Sequence, residues 1–281
     1  MSDFQSINEA INKRAGRKLG PSILVSLSLI ALIWFALAYH REIFAVVVAV
    51  AVLLGIREIV RAFSARGIYI SAISLALGSL GLAYATWNGG VAGLAIATAI
   101  AIPVLLIQLL TQGPDGFVQS ATATTFSLLY LPFLGGFLIL LAKPHNGLGR
   151  VMSFVVLVGC NDTFGYIVGV LFGKHPLVPN ISPKKSWEGL IGSFIFTVTG
   201  GSLAFNFILD MQWWVGAIVG AMIVFTATCG DLIESAMKRD LQLKDMGSML
   251  PGHGGILDRL DSVLISAPAL WLALELVKRW S

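Results

Sequence analysis

The run Gly90-Val91-Ala92-Gly93-Leu94-Ala95-Ile96-Ala97-Thr98-Ala99-Ile100-Ala101-Ile102-Pro103-Val104-Leu105-Leu106-Ile107-Gln108-Leu109-Leu110-Thr111 is 22 residues long and carries no charge. At about 1.5 Å per residue, a helix of that length crosses the roughly 30 Å hydrocarbon core of a bilayer. Outward from it, the chain of 281 residues offers further runs of the same kind at roughly 22–39, 43–60, 68–87, 121–142, 151–173, 189–209, 213–232 and 256–277. Composition agrees: 56% of residues are hydrophobic, only 12% are charged, and mean hydropathy is +0.83. Half the charge of an ordinary soluble domain cannot cover a soluble surface, which excludes that class and intrinsic disorder together. Continuous apolar runs near 20 residues also exclude a transmembrane barrel, whose strands alternate over about ten. The expectation is an all-α polytopic membrane protein of about nine transmembrane helices.

Short polar links separate the runs, among them Tyr39-His40-Arg41-Glu42 and Trp87-Asn88-Gly89-Gly90. Ala36-Leu37-Ala38 resembles a signal-peptidase site, but the polar leader before it is long and further spans follow it, so cleavage is not expected. With the N-terminus in the cytoplasm, the inner side receives Lys13, Arg14, Arg17, Lys18, Arg57, Arg61, Arg66, Lys174, Lys184, Lys185, Lys238, Arg239, Lys244 and Arg259. The outer side receives only Arg41, Lys143, Arg150, Lys278 and Arg279. Basic residues favour the cytoplasmic side, so this orientation is expected, in a cell (inner) membrane. Three regions follow: a cytoplasmic segment 1–20, an N-terminal membrane region 21–150 (spans one to five), and a C-terminal membrane region 151–281 (spans six to nine). Cys160 and Cys229 lie in apolar stretches without metal-ligand spacing and read as packing residues.

Spans before residue 150 carry few charges, whereas from Cys160 onward charged and polar residues interrupt them. Asn161-Asp162-Thr163 places a carboxylate inside span six, which costs at least a few kcal/mol unless it meets protein or water. Asp162 is a functional candidate or else an acceptor between helices; Tyr166 shares its face, and Gly165, Gly169 and Gly173 form a ridge suited to close packing. The inner loop Lys174-His175-Pro176-Leu177-Val178-Pro179-Asn180-Ile181-Ser182-Pro183-Lys184-Lys185-Ser186-Trp187-Glu188-Gly189 is broken by prolines. Ser182, Lys184, Lys185 and Ser186 form a polyphosphate grip or a positive-inside anchor, the chemistry alone not deciding which. Trp187 suits stacking on a base or anchoring at the interface.

The richest stretch runs from Gly230 to Asp261. If span eight continues as a helix, Asp231, Glu234, Ser235 and Lys238 share one face. If span nine starts near Ile256, Asp258 and Asp261 share a face at its inner end. Pro251-Gly252-His253-Gly254-Gly255 is a turn that glycine makes easy, feeding a helix N-terminus whose free N–H groups favour anions; His253 is a phosphate donor or part of that turn. Carboxylates mixed with Lys and Arg at a membrane boundary suit a hard cation such as Mg²⁺ bridging phosphates, with the basic residues neutralising the remaining charge. Other phosphate motifs fail: Gly169 to Gly173-Lys174 has the wrong P-loop spacing, and no dinucleotide fingerprint follows a strand.

Ser235-x-Met237-Lys238-Arg239, Lys244-Asp245-x-Gly247 and Leu250-Pro251-x-His253-Gly254-Gly255-Ile256-x-Asp258-Arg259-Leu260-Asp261 resemble the signature of the phosphatidate cytidylyltransferase (CDP-diacylglycerol synthase) family. Asp162-Thr163 with Tyr166, and Ser182-Pro183-Lys184-Lys185-Ser186-Trp187-Glu188-Gly189, resemble further family blocks, with Ser186 and Phe164 as departures. The likeness is strong over roughly 160–268, and residues 1–150 match in hydropathy alone. It implies transfer of the cytidylyl group of CTP to phosphatidate, releasing pyrophosphate, at the inner ends of the C-terminal helices. It also implies a metal centre with Mg²⁺, and K⁺ as a monovalent companion. In this light Asp231, Asp258 and Asp261 are the expected metal ligands. Lys238, Arg239 and Arg259 join Asp231 and Asp258 in the catalytic set. Ser182, Lys184, Lys185, Ser186, Trp187, Glu188, Asp162, His253 and Lys244 are the expected substrate contacts. The partners implied are CTP, phosphatidate and the bilayer, with no nucleic acid; oligomeric state stays open, a homodimer among the alternatives. The rivals are a cytidylyltransferase for another lipid phosphate, such as an ether lipid, and an ion-coupled transporter with Asp162 and Asp231 as relay groups.

Overall fold

The computed structural model describes residues 19–247 and 255–280. Helix follows helix: α1 (Leu19–Tyr39), α2 (Arg41–Ser64), α3 (Ala72–Leu109, ending in the 3₁₀ turn Leu110–Gln112), α4 (Phe117–Leu128), a π turn (Leu129–Phe133), α5 (Leu134–Ala142), α6 (Gly147–Phe172), α7 (Trp187–Phe207), α8 (Trp213–Asp240) and α9 (Leu257–Trp280). Between α6 and α7 lies a departure from the all-α expectation, an antiparallel ribbon of β1 (Pro176–Val178) and β2 (Ser182–Ser186). The prolines that forbid helix there are compatible with so short a two-stranded edge. The β2 strand ends at Ser186, whose hydroxyl accepts the Gly189 N–H at 3.1 Å and caps α7.

Among the described residues, seven helical segments are long and apolar enough to cross a membrane, and their outward sides are rich in exposed Leu, Ile, Val and Phe. This is the architecture of a polytopic membrane protein. Several expected ends shift. Span six begins at Gly147, Arg41 and Glu42 form the first turn of α2, and α8 runs on to Asp240.

One segment, Ala72–Gln112, is a hairpin. A straight α3 of 38 residues would be about 57 Å long. Instead Gln108 Nε2, beyond its middle, donates to Ser71 Oγ at 3.0 Å. The reversal falls at Gly90, whose φ of 62° and ψ of −142° lie outside what an L side chain readily adopts.

The polar ends of the helices form two belts. At one end Arg41 Nη1 donates to the Lys143 carbonyl at 2.8 Å, Lys143 Nζ to the Asn88 carbonyl at 3.3 Å, and Arg150 pairs with Glu275 at 3.6 Å. At the other end Arg66 Nε donates to the Leu241 carbonyl at 2.9 Å, and Arg239 Nε reaches the Ile181 carbonyl at 3.4 Å. Between the belts, Leu75, Leu128, Leu131, Leu141, Leu157 and Ile223 are fully buried. Between α7 and α8, Gly201 and Gly216 meet backbone to backbone, and a Cβ on either would collide with the other's carbonyl.

Candidate active site

The second belt carries the chemistry. Because α8 stays helical past its apolar run, Asp231, Glu234 and Lys238 lie along one face, as the spacing predicts. Lys238 Nζ pairs with Glu234 one turn back and with Asp258 Oδ1 of α9 at 2.9 Å. From the ribbon, Lys185 Nζ pairs with Asp231. Gly230 sets the spacing of α8 and α9: a Cβ there would strike the Asp261 carbonyl, so the two backbones touch beside Asp231 and Asp261.

Asp258 is the best-held carboxylate of the set. Its Oδ2 accepts the N–H of Gly255 at 2.7 Å and of Met246 at 3.1 Å. Asp261 Oδ1 accepts the Ser262 N–H at 2.8 Å, and it lies within electrostatic reach of Asp231, Glu234 and Asp162. Asp162 is hydrogen-bonded by Asn161 Nδ2 at 3.0 Å and lies within electrostatic reach of Asp231, Lys185 and Arg259. The expected residues Asp162, Lys185, Asp231, Lys238, Asp258, Arg259 and Asp261 therefore form one network of charges.

Other expected contacts sit at its edge. Ser182 and Ser186 are half-buried on β2, while Lys184 is exposed beside Lys185. Trp187 is 53% exposed at the start of α7. Arg239 leaves the acids and reaches the ribbon at Ile181, and Lys244 is exposed on the segment after α8. Glu188 is engaged by the chain itself: its Oε2 accepts the N–H groups of Lys174 and His175 at 3.1 and 3.3 Å, and its Oε1 lies 2.6 Å from His175 Nδ1. It clasps the base of the ribbon. The Gly165–Gly173 ridge backs the same region, with Gly165 against Ser193 and Gly173 against Ser186. Phe164, the departure noted above, stacks on Phe196 with centroids 3.8 Å apart. Cys160 and Cys229 are free thiols. His253 lies outside the described residues.

Among the described residues, no three His, Cys, Asp or Glu side chains are gathered as a ready metal cage. Asp231 and Asp258 instead each hold a lysine. The donor chemistry nevertheless suits a hard cation. Five carboxylates (Asp162, Asp231, Glu234, Asp258, Asp261) share the network with three cations (Lys185, Lys238, Arg259), two more acids than bases. Glu234 is 1% exposed, and its Oε1 is buried without a hydrogen-bond partner among the described residues. A divalent cation fits that surplus and that all-oxygen set.

Two contributors escaped the sequence reading. Tyr130, in the π turn, is buried within reach of the charges of Asp231, Glu234 and Asp261. Glu58, on α2, accepts the N–H groups of Ile256 and Leu257. An acid inside a membrane span is a signal that marks Glu58; for Tyr130 the sequence offers none.

Fold and site together define a class: a helical membrane protein with an acid-rich polar centre built between helix ends and a short cationic ribbon. The chain belongs to the cytidylyltransferase family, whose model matches residues 22–277. Similar proteins include the phosphatidate cytidylyltransferase of Mycobacterium bovis, 39% identical over 277 residues, covering 94% of this chain and 90% of that protein. That of Mycobacterium leprae is 39% identical over 280 residues, with the same coverage of 94% and 90%. The Staphylococcus haemolyticus phosphatidate cytidylyltransferase is 33% identical over 217 residues, 76% of this chain and 80% of that one.

Proposed function

We propose that this chain transfers the cytidylyl group of CTP to phosphatidate, giving CDP-diacylglycerol and pyrophosphate. The observation that carries the reading is the surplus of carboxylates at the inner ends of α8 and α9, faced by Lys185 of the short ribbon and Lys238 of α8. An apolar bundle has no structural use for that many charges, whereas a reaction between two polyanions does. The lipid phosphate, with a second pKa of about 6, is largely ionised near neutral pH and needs no dedicated base. One of its oxygens attacks the α-phosphorus of CTP. The new P–O bond forms as the bond from the α-phosphorus to the bridging oxygen breaks, and pyrophosphate leaves with that electron pair. Positioning and charge stabilisation are what the protein supplies.

Asp231, Asp258 and Asp261 would hold Mg²⁺, with Glu234 adjacent and K⁺ as a companion ion. Bound there, the metal would supply Lewis-acid charge that offsets the charge developing on the phosphates. Lys238 and Arg259 stabilise the phosphates undergoing transfer, and Arg239 lies nearer the ribbon. Ser182, Lys184, Lys185, Ser186 and Trp187 take CTP, with His253 and Lys244 assisting. Glu188 acts by holding the ribbon's base, and Asp162 lines the floor near the lipid headgroup or supports the metal site.

The topology proposed has nine crossings, the Ala72–Gln112 hairpin contributing two and α1 one. The N-terminus and the acid-rich belt face the cytoplasm of a cell membrane. In a background without Cys160 and Cys229, Asn180→Cys should react with an impermeant thiol reagent only from the cytoplasm, and Asn146→Cys only from outside. The reverse pattern would overturn the orientation and with it access for CTP. Chelation should abolish CDP-lipid formation by the purified protein and Mg²⁺ restore it; full turnover in chelator would remove the metal from the account.

A further inference from the structure

Glu58 belongs to the N-terminal region, yet its carboxylate is spent on the C-terminal site. It is 3% exposed on an apolar helix, where an acid is tolerated only if well hydrogen-bonded. Its Oε1 accepts the Ile256 N–H at 3.0 Å and its Oε2 the Leu257 N–H at 2.9 Å. These amides open α9, and such N–H groups have no partner within the helix. Gly247 and Gly255 close on the same carboxylate so tightly that a Cβ on either would collide with it. Next in the chain, Asp258 takes the amides of Met246 and Gly255 and pairs with Lys238. Glu58 and Asp258 thus hold the same two pieces of backbone, 246–247 and 255–257, one carboxylate from α2 and one from α9.

We propose that Glu58 is a positioning residue for the transfer reaction, anchoring the start of α9 so that Asp258 and Lys238 stand in register with Asp231. The inference rests on the reading of this region as the active site. A carboxylate suits the task because it accepts only, and its two oxygens match two parallel donors. Its charge also favours the helix N-terminus. Glutamine has the same shape but would turn an NH₂ group toward one of those N–H groups.

The test compares wild type, Glu58→Gln and Asp258→Ala for CDP-lipid formation and for hydrogen–deuterium exchange of the purified protein. Outer-shell partners of this kind typically alter activity by about 10–100-fold. In Glu58→Gln, kcat should fall by about that much with the KM for CTP little changed. The peptide covering 255–260 should exchange faster while those of α6 to α8 keep their protection. If protection falls throughout, Gly247→Ala replaces it as the variant, because it crowds the carboxylate without removing its charge. Wild-type kcat, or unchanged exchange at 255–260, would each overturn the positioning role. Full activity in Asp258→Ala would instead remove the catalytic reading of the region, so the two failures are told apart.

Discussion

The N-terminal and C-terminal regions differ in how far their side-chain hydrogen bonds reach between helices. In α3 to α5 and their neighbours, hydroxyls turn back on their own helix: Ser79 to the Leu75 carbonyl, Thr86 to Leu82, Thr98 to Leu94 and Ser127 to Ala123, at 2.6–2.8 Å. In α6 to α9 hydroxyls such as Ser202 and Thr226 also turn back on their own helix, but further bonds cross between elements. Ser193 donates to the Asn161 carbonyl at 2.7 Å, Thr226 to Ser266 at 3.1 Å, Lys185 to Asp231, and Lys238 to Asp258. A self-satisfied helix can pack by shape alone in lipid. Helices bound by charges hold those charges in fixed mutual positions, which is the condition for electrostatic catalysis. The N-terminal region is a scaffold by this measure, and Glu58 and Arg66 are where it reaches across.

The contrast breaks most visibly at the carboxylates. Asp231→Ala and Asp258→Ala should each abolish CDP-lipid formation while the protein still inserts and purifies. Near-normal turnover in either at saturating Mg²⁺ would reduce the cross-helix charges to structural glue. Next comes Lys238→Ala, with a fall in kcat of roughly 10²–10³-fold, or about 2.7–4 kcal/mol, the scale for one preorganised transition-state donor. A pure rise in KM there would assign Lys238 to ground-state binding. The ribbon lysines sharpen the comparison further. Exposed Lys184 should behave as a binding residue, Lys184→Ala raising the KM for CTP more than it lowers kcat. Lys185, paired to Asp231, should change both when replaced by Ala. Equal kinetics for the two variants would deny the ion pair a role. The smallest effect belongs to the scaffold. Thr98→Ala removes a hydroxyl whose only partner among the described residues is a carbonyl on its own helix, so thermal stability should fall by about 1 kcal/mol or less, with wild-type kcat. A large loss of activity there would erase the distinction between the regions.

The membrane class, the apolar spans and the shared face of Asp231, Glu234 and Lys238 were legible because each is a local pattern: uninterrupted apolar length, or charges at helical spacing. The hairpin was legible as two spans, since Trp87-Asn88-Gly89-Gly90 reads as a turn. Pairings across long sequence separation were not. Nothing in 182–186 announces that Lys185, rather than Lys184, meets Asp231, because alternation along β2 decides it. Glu188 reads as part of a binding block, but the fold brings the backbone of Lys174 and His175 to it first. Tyr130 reaches the acids from a π turn, a backbone irregularity that apolar periodicity does not signal.

The most direct test of the central claim uses CTP labelled in turn at the α- and the γ-phosphate, with phosphatidate and Mg²⁺, comparing the wild-type protein with Asp258→Ala. The wild type should pass α-label into the lipid and leave all γ-label in water-soluble pyrophosphate, and Asp258→Ala should pass neither. γ-Label in the lipid, no label in the lipid from the wild type, or undiminished α-transfer by Asp258→Ala would contradict cytidylyl transfer at this site.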